Sequence, residues 1–321
     1  MDNVLVTGAC SRIGDSVCSG LLKKGYHVTA FDEKLSDYNK DKEHFTFVAY
    51  GESIKGTLAY LFENYKFHAV VHLACTADND MGPIFTDKEA KISQEFDRSL
   101  YRMAVETEVA QFILISTTQV YMKVKTREPL REIDADIKPI TNYAKMKYES
   151  EKVLANESKR SKTMVVAIAR VPQVYSLKFY DNLVSKIKDP KDGSNFIYRL
   201  GDYGFHFCCI HNLSDFILCY LKQAEDTSYS GVYNVCDMLL TSTSEIIKFM
   251  KSNNYRLGPV LQRSEPKENN ALKFIKSKII SSEEKTNYRY LDYDTILNNT
   301  MYDNRKANKI CPFRWNISNT K

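Results

Sequence analysis

Along the first 170 residues, short apolar runs alternate with segments whose apolar residues recur at helical spacing. A strand buried on both faces reads as such a run, whereas a crossover helix reads at a period near 3.6. The pattern predicts strands from Asn3 to Thr7, His27 to Phe31, Phe45 to Ala49, Ala69 to Leu73, Phe112 to Ser116 and Met164 to Ala169. Ile13, Val17 and Leu21 recur at i+4 and mark a first intervening helix, and Lys88 to Glu106 is long enough for another. Regular alternation of strand and helix predicts an α/β fold with a doubly wound parallel sheet.

Beyond Arg170 the alternation loosens. Pro190 to Gly193 reads as a turn, Gly201 to Gly204 as another, and from Lys267 onward the chain is polar, with Ile279, Ile280 and Ile296 leaving room for short ordered elements. No internal repeat interrupts this order. The expected organisation is a sheet domain over 1–170, to which some later segments return, and a smaller portion over 171–321 that is mainly substrate-binding.

Composition narrows the class without naming a function. With 43% apolar and 26% charged residues, and only 12 Gly and 8 Pro, the chain reads as globular rather than disordered. Its net charge of +5 is spread along the sequence with no long basic run, so nucleic acid is not an expected partner. Eight cysteines without a C-x-x-C pair point to a reduced compartment, and Cys208-Cys209 reads as a buried strand pair. Met1-Asp2-Asn3 leads into Val4-Leu5-Val6 without a basic start and an apolar h-region, and no apolar run approaches the ~20 residues of a membrane helix. The expectation is a cytoplasmic protein with no membrane contact. Six scattered histidines show no metal-ligand spacing, and His72, inside an apolar strand, reads as a satisfied core residue.

The chemistry begins where the first strand meets the first helix. Thr7-Gly8, followed by Ala9-Cys10-Ser11-Arg12-Ile13-Gly14, turns sharply at a helix N-terminus, where glycines admit a close backbone approach and free N–H groups attract a pyrophosphate. A third glycine of the dinucleotide pattern would stand at 11 or 12, where Ser11 and Arg12 occur, so a plain strand-to-helix turn is the competing reading. Asp32, at the end of the second strand, suits a carboxylate that accepts both adenosine ribose hydroxyls and repels a 2′-phosphate. Arg12 argues the other way, since a guanidinium pairs with that phosphate. The strand-end position of Asp32 carries more weight, and NAD is expected over NADP.

Tyr-x-x-x-Lys occurs five times, at Tyr38/Lys42, Tyr121/Lys125, Tyr143/Lys147, Tyr148/Lys152 and Tyr302/Lys306, so the bare pattern carries no information. Context singles out Tyr143/Lys147, which opens a helix after the fifth strand and a loop ending in Pro139, with both residues on one face. Thr117 ends that strand, where open parallel sheets place their ligands. The alternative is a surface tyrosine with Lys147 paired to Glu151 at i+4.

Thr7-Gly8 with Ile13-Gly14, Val70-Val71-His72-Leu73-Ala74, Ser116-Thr117-Thr118-Gln119-Val120-Tyr121 and Tyr143-Ala144-Lys145-Met146-Lys147, in that order, resemble an extended short-chain dehydrogenase/reductase of the NAD-dependent nucleotide-sugar epimerase/dehydratase group. Glu132, Pro139, Arg170 to Tyr175, Asn182-Leu183, Phe207 to Leu213 and Gly231 to Asn234 extend the resemblance over about residues 2 to 250. It implies a Rossmann-like fold and catalytic roles for three residues: Tyr143 as acid/base, Lys147 as its electrostatic partner and nicotinamide-ribose ligand, and Thr117 as donor to the reacting oxygen. An ammonium beside a phenol favours the phenolate, which brings a group of pKa near 10 toward the working range. The resemblance further assigns Gly8, Ser11, Arg12, Ile13, Gly14, Asp32, Glu52, Ser53, Leu73, Ala74, Cys75, Ser116, Tyr143, Lys147 and Val171 to the cofactor, and Thr76, Thr118, Gln119, Gln173, Asn182 and Leu183 to the substrate. A nucleotide sugar is the implied partner, and a homodimer built on a pair of helices is common in the group.

Several positions depart from the family pattern. Ser11 replaces a glycine, Met122 and Ser176 replace glycines after the two Val-Tyr pairs, and Gln173 stands where Asn is frequent. Thr118-Gln119 stands where 4,6-dehydratases carry an Asp-Glu pair, which argues against water elimination. Phe205 takes the place of an arginine that grips the substrate diphosphate, leaving Lys178, Lys186 or Arg199 to supply a cation. The leading reading is an NAD-dependent epimerase or oxidoreductase acting on a nucleotide sugar. Its rivals are a reductase or dehydrogenase of another hydroxyl or carbonyl substrate, and a non-catalytic NAD-binding sensor.

Overall fold

The computed structural model describes residues 2–74, 87–121, 128–139, 141–189, 192–198, 200–224, 226–264 and 301–320. Cys75, Thr76, Met122, Pro190, Lys191, Arg199, and the polar stretch of 267–300 with Ile279, Ile280 and Ile296 lie outside the described residues. In chain order the elements are β1 (Asn3–Thr7), α1 (Arg12–Lys23), β2 (His27–Asp32), β3 (Phe45–Ala49), α2 (Ile54–Asn64), β4 (Ala69–His72), α3 (Asp87–Glu106), β5 (Gln111–Thr117), α4 (Asn142–Glu157), β6 (Val165–Val171) and β7 (Gln173–Tyr175). There follow α5 (Asp181–Val184), β8 (Asn195–Tyr198), β9 (Gly204–Phe205), β10 (Phe207–Cys209), α6 (Ile210–Gln223), β11 (Gly231–Asn234), β12 (Thr241–Ser242), α7 (Thr243–Ser252), β13 (Val260–Arg263) and α8 (Arg305–Ile310).

Seven strands form one sheet in the order β11-β6-β5-β4-β1-β2-β3, every pairing parallel. This is the doubly wound Rossmann-like sheet that the alternation predicts. Six of its strands match the predicted runs to within two residues at either end. The seventh, β11, comes from the second half of the chain and pairs Gly231 to Asn234 with Ala167 to Arg170 of β6.

Helices cover both faces. Val17, Cys18 and Leu21 of α1 and Leu213, Phe216, Ile217 and Tyr220 of α6 pack on one face with Val4, Val6, Ile113 and Ala167, while Leu58, Leu61, Leu100 and Leu154 of α2, α3 and α4 pack on the other with Leu5, Val70 and Phe112. Thus α6, β11 and the 307–313 segment return to the first core. A third cluster, around Tyr175, Leu183, Phe196, Phe205, Phe207, Ile246 and Phe249, holds three two-stranded sheets together: β7 with β10, β9 with β12, and β8 with β13. Among the described residues no helix is long and apolar enough to cross a membrane.

Candidate functional site

The sheet order reverses at β1, which has β2 on one side and β4 on the other. In open α/β sheets the crevice outside the carboxyl ends of the strands, at that switch point, is where ligands bind. Gly8, Asp32, Leu73-Ala74, Thr117 and Val171 all lie there, at or just beyond the ends of β1, β2, β4, β5 and β6. Thr117 and Val171 are direct partners across the β5–β6 ladder. Glu52 and Ser53 follow β3 at the same edge, and Ser53 caps α2 by accepting the Gly56 N–H at 3.1 Å.

The glycine turn is held from within. Gly8 has φ +66°, and a Cβ there would lie 2.8 Å from the Ala74 nitrogen; one on Gly14 would lie 2.2 Å from the Gly8 carbonyl oxygen. Both positions therefore require glycine. Ser11, in place of the third glycine, caps α1: its hydroxyl accepts the Gly14 N–H at 3.0 Å and donates to the Gly8 carbonyl at 2.9 Å. Asp32 has a part that the sequence reading missed. Its two carboxylate oxygens accept the Cys10 N–H at 2.8 Å and the Glu33 N–H at 2.7 Å, tying the loop after β1 to the end of β2. Each oxygen retains a further lone pair for a ligand hydroxyl. Burial pushes the Cys10 thiol up to about 11, so it is a neutral packing group in this loop. Arg12 pairs with Asp181 at 2.5 Å, joining the loop to the first residue of α5, and Ile13 packs on the adjacent core.

Thr141 caps α4, accepting the Ala144 N–H at 3.0 Å, which places Tyr143 in the first turn and Lys147 one turn further on the same face. Tyr143 is half-buried and Lys147 is buried. The alternative partner for Lys147 is engaged elsewhere: Glu151 accepts from Arg170 Nη2 at 2.6 Å, and the Ser116 hydroxyl donates to it at 2.5 Å. The Lys147 ammonium donates to the Ala74 carbonyl at 3.5 Å. By contrast Lys152, of the neighbouring Tyr148/Lys152 pattern, is an exposed residue beside Glu149. Thr117 is buried, and its oxygen accepts the Gln119 N–H at 3.2 Å.

His72 is fully buried. Its ring takes the Thr7 hydroxyl at 2.6 Å and Asp97 at 2.9 Å, the satisfied core role read from the sequence. Burial holds it below the usual imidazole range against the opposing pull of Asp97, so the ring is neutral.

For the residues that the resemblance assigns to the substrate the picture is mixed. Thr118 lies in a 3-10 turn over 118–120, and Gln119 faces the Thr141 hydroxyl at 3.4 Å. Tyr302 stacks between Tyr121 and His206, and Arg170 lies over the Tyr121 ring at 4.7 Å. No feature of the polar C-terminal stretch singled out Tyr302. Asn182 donates to the Val174 carbonyl at 2.7 Å, whereas Leu183 is fully buried in the third cluster. Gln173 pairs with Phe207 at the start of β7. Phe205 is buried, with the buried Lys186 ammonium 5.4 Å from its ring centre; Lys178 instead reaches the Tyr38 hydroxyl at 2.9 Å.

The sequence profile of the NAD dependent epimerase/dehydratase family matches residues 4–236. No curated protein matches the chain in sequence. Among solved structures, UDP-glucose 4-epimerase of Thermotoga maritima with UDP-glucose superposes with a TM-score of 0.68 at 18% identity, over 96% of this chain and 91% of that one. UDP-glucuronic acid 4-epimerase from Bacillus cereus in complex with NAD gives 0.68 at 20% identity, over 98% and 93%. UDP-N-acetylglucosamine 4-epimerase from the same organism gives 0.69 at 16% identity, over 99% and 96%. At these identities the likeness is one of fold.

Proposed function

This chain belongs to the NAD dependent epimerase/dehydratase family, and we propose that it is an NAD-dependent epimerase or oxidoreductase acting on a secondary alcohol of a nucleotide sugar. The observation that carries the reading is that the buried Lys147 ammonium, one helical turn beyond Tyr143, meets the Ala74 carbonyl at the sheet edge where Thr117 ends β5, beside a glycine turn closed by Ser11 and Asp32. That turn suits a dinucleotide. The cradle beside Gly8 and Gly14 would be filled by any Cβ, and the first turn of α1 presents N–H groups and the positive end of a helix.

NAD, when bound, supplies the acceptor and donor of hydride. Tyr143 takes the substrate hydroxyl proton as phenolate, Thr117 hydrogen-bonds the same oxygen, and the Lys147 ammonium stabilises the phenolate. Pairing of Arg12 with Asp181, and the carboxylate of Asp32, support NAD over NADP. Thr118-Gln119 lacks the acid and base for water elimination, which favours epimerisation over dehydration. One observation favours the second reading, a reductase or dehydrogenase whose substrate has no diphosphate: Phe205 is buried and apolar where the family resemblance expects an arginine. The division into a cofactor part over 1–170 and a mainly substrate part over 171–321 belongs to the same proposal, as does a homodimer.

Calorimetric titration with NAD⁺, NADP⁺ and a panel of UDP- and dTDP-sugars, followed by an epimerisation assay, tests it. NAD⁺ preferred over NADP⁺, with a sugar nucleotide binding to the loaded protein and its epimer accumulating, is the expected result. Asp32→Ala should erase roughly tenfold of that preference, about 1.4 kcal/mol. Binding of NAD⁺ with no sugar nucleotide would move the assignment to another substrate or to a sensor; no dinucleotide binding would remove it.

A further inference from the structure

Thr7, His72 and Asp97 are buried beneath the candidate site, yet they form an unbroken chain of hydrogen bonds that ends on it. The Asp97 carboxylate accepts from His72 Nε2 at 2.9 Å. With that nitrogen protonated, Nδ1 is an acceptor, and the Thr7 hydroxyl donates to it at 2.6 Å. The same Thr7 oxygen accepts the Ala74 N–H at 3.3 Å, and the Ala74 carbonyl accepts from the Lys147 ammonium at 3.5 Å. Every donor points from Lys147 toward Asp97, so the imidazole tautomer and the hydroxyl direction are determined throughout.

Such a chain is costly where it lies. The rings of Phe96, Tyr101 and Phe112 surround His72 edge-on, and burying the Asp97 carboxylate and its polar partners there carries a desolvation cost that a well-packed apolar substitute avoids. What an apolar substitute does not provide is a fixed orientation for Ala74. That orientation matters on two sides, because the Ala74 nitrogen and Cα fill the space beside Gly8 of the glycine turn, 2.8 and 2.9 Å from where its Cβ would be, while the Ala74 carbonyl meets the ammonium.

We propose that Asp97 and His72, acting through Thr7, are positioning residues that fix the Ala74 backbone and thereby set where the Lys147 ammonium stands relative to Tyr143 and the glycine turn. The inference rests on the Tyr143/Lys147 reading of the site. Coulomb attraction falls with distance, so an ammonium displaced by an ångström or two raises the phenol pKa by about half to one unit.

The test uses the full-length protein loaded with NAD⁺. Ultraviolet difference titration against Tyr143→Phe isolates one phenolate from the 21 tyrosines, in wild type and in Thr7→Val, Thr7→Ser, Asp97→Ala and Asp97→Asn, with thermal melts and the pH profile of kcat alongside. Thr7→Val and Asp97→Ala are expected to raise the phenolate pKa, and the acid limb of kcat with it, by about half to one unit. Thr7→Ser and Asp97→Asn, which keep a hydroxyl and an acceptor, should stay near wild type. If Thr7→Val does not fold, Asp97→Ala, on a separate element, carries the same expectation. Variants that melt lower but keep the wild-type phenolate and kcat profile would make the chain a structural clamp and overturn the inference. A wild-type holoprotein with no depressed phenolate would instead bring down the Tyr143 reading itself, and the inference with it.

Discussion

The two sides of the candidate cleft are held by different forces. On the proposed cofactor side, Gly8, Asp32, Thr117 and Val171 stand at or just beyond the ends of strands in one seven-strand sheet, so their spacing is fixed largely by the backbone ladder. On the proposed substrate side the strands form three separate pairs, and a two-stranded unit is marginal by itself. Side chains brace the β7–β10 pair against its surroundings. Asp237 accepts from Tyr175 at 2.8 Å, from the Cys209 N–H at 2.7 Å and from Asn212 at 2.8 Å, and Asn304 ties Cys236 to the segment before α8. A ladder tolerates exchange of a side chain with its geometry intact, whereas a side-chain hub does not.

The largest expected effect tests the cofactor side. Tyr143→Phe removes one oxygen from a residue in a capped helix and leaves the ladder untouched. Turnover should fall roughly 10³-fold, within the range set by loss of a general acid/base, while the NAD⁺ Kd stays within about twofold and the melting temperature is unchanged. Activity near wild type would dismiss Tyr143 as the acid/base; a large loss of NAD⁺ affinity would make it a residue that holds the cofactor instead.

A smaller effect should come from the hub. Burial raises the Asp237 carboxyl from 3.8 to about 6, in spite of three donors that favour its ionised form. Since the folded pKa lies above the unfolded one, the stabilisation is complete below about pH 4 and is lost as pH rises through 6. Two units correspond to about 3 kcal/mol. Asp237→Asn keeps an acceptor for the Cys209 N–H but does not titrate. Denaturant unfolding of both proteins between pH 4 and 7.5 should therefore show the wild type losing about 3 kcal/mol relative to the variant as pH rises. A difference that does not vary with pH would mean that the hub is held otherwise.

What could be read from the sequence divides along the same line. Six strands of the sheet were legible because burial on both faces leaves continuous apolar runs, and Thr117 and Tyr143/Lys147 because their places relative to the fifth strand are local facts. The strand Gly231–Asn234 carries no periodicity and entered only by resemblance, while Gly204–Phe205 and Thr241–Ser242 are two residues long, too short to carry a pattern. Pairings across distance were beyond reach for another reason. Residue type gives a donor or an acceptor but not its partner, so nothing in the sequence joined His72 to Asp97, Glu151 to Arg170 or Tyr121 to Asn234.

The smallest effect concerns a place where the proposed cofactor side also relies on a side chain. Ser11 closes the glycine turn through its hydroxyl, and loss of such a cap costs about 1 kcal/mol. Two bonds that do not use its side chain remain: the Cys10 N–H to Asp32, and the Ser11 N–H to the Gly8 carbonyl at 3.3 Å. Ser11→Ala should accordingly fold, melt a few degrees lower and bind NAD⁺ about threefold to tenfold more weakly by calorimetry. Ser11→Gly makes the sharper comparison, because glycine at an N-cap costs only a few tenths of a kcal/mol and restores the third glycine of the dinucleotide pattern. If Ser11→Gly binds NAD⁺ as the wild type does, serine and glycine are equivalent solutions to one closure problem. If it binds more tightly, the hydroxyl crowds the pyrophosphate, and the turn favours its own closure over the ligand.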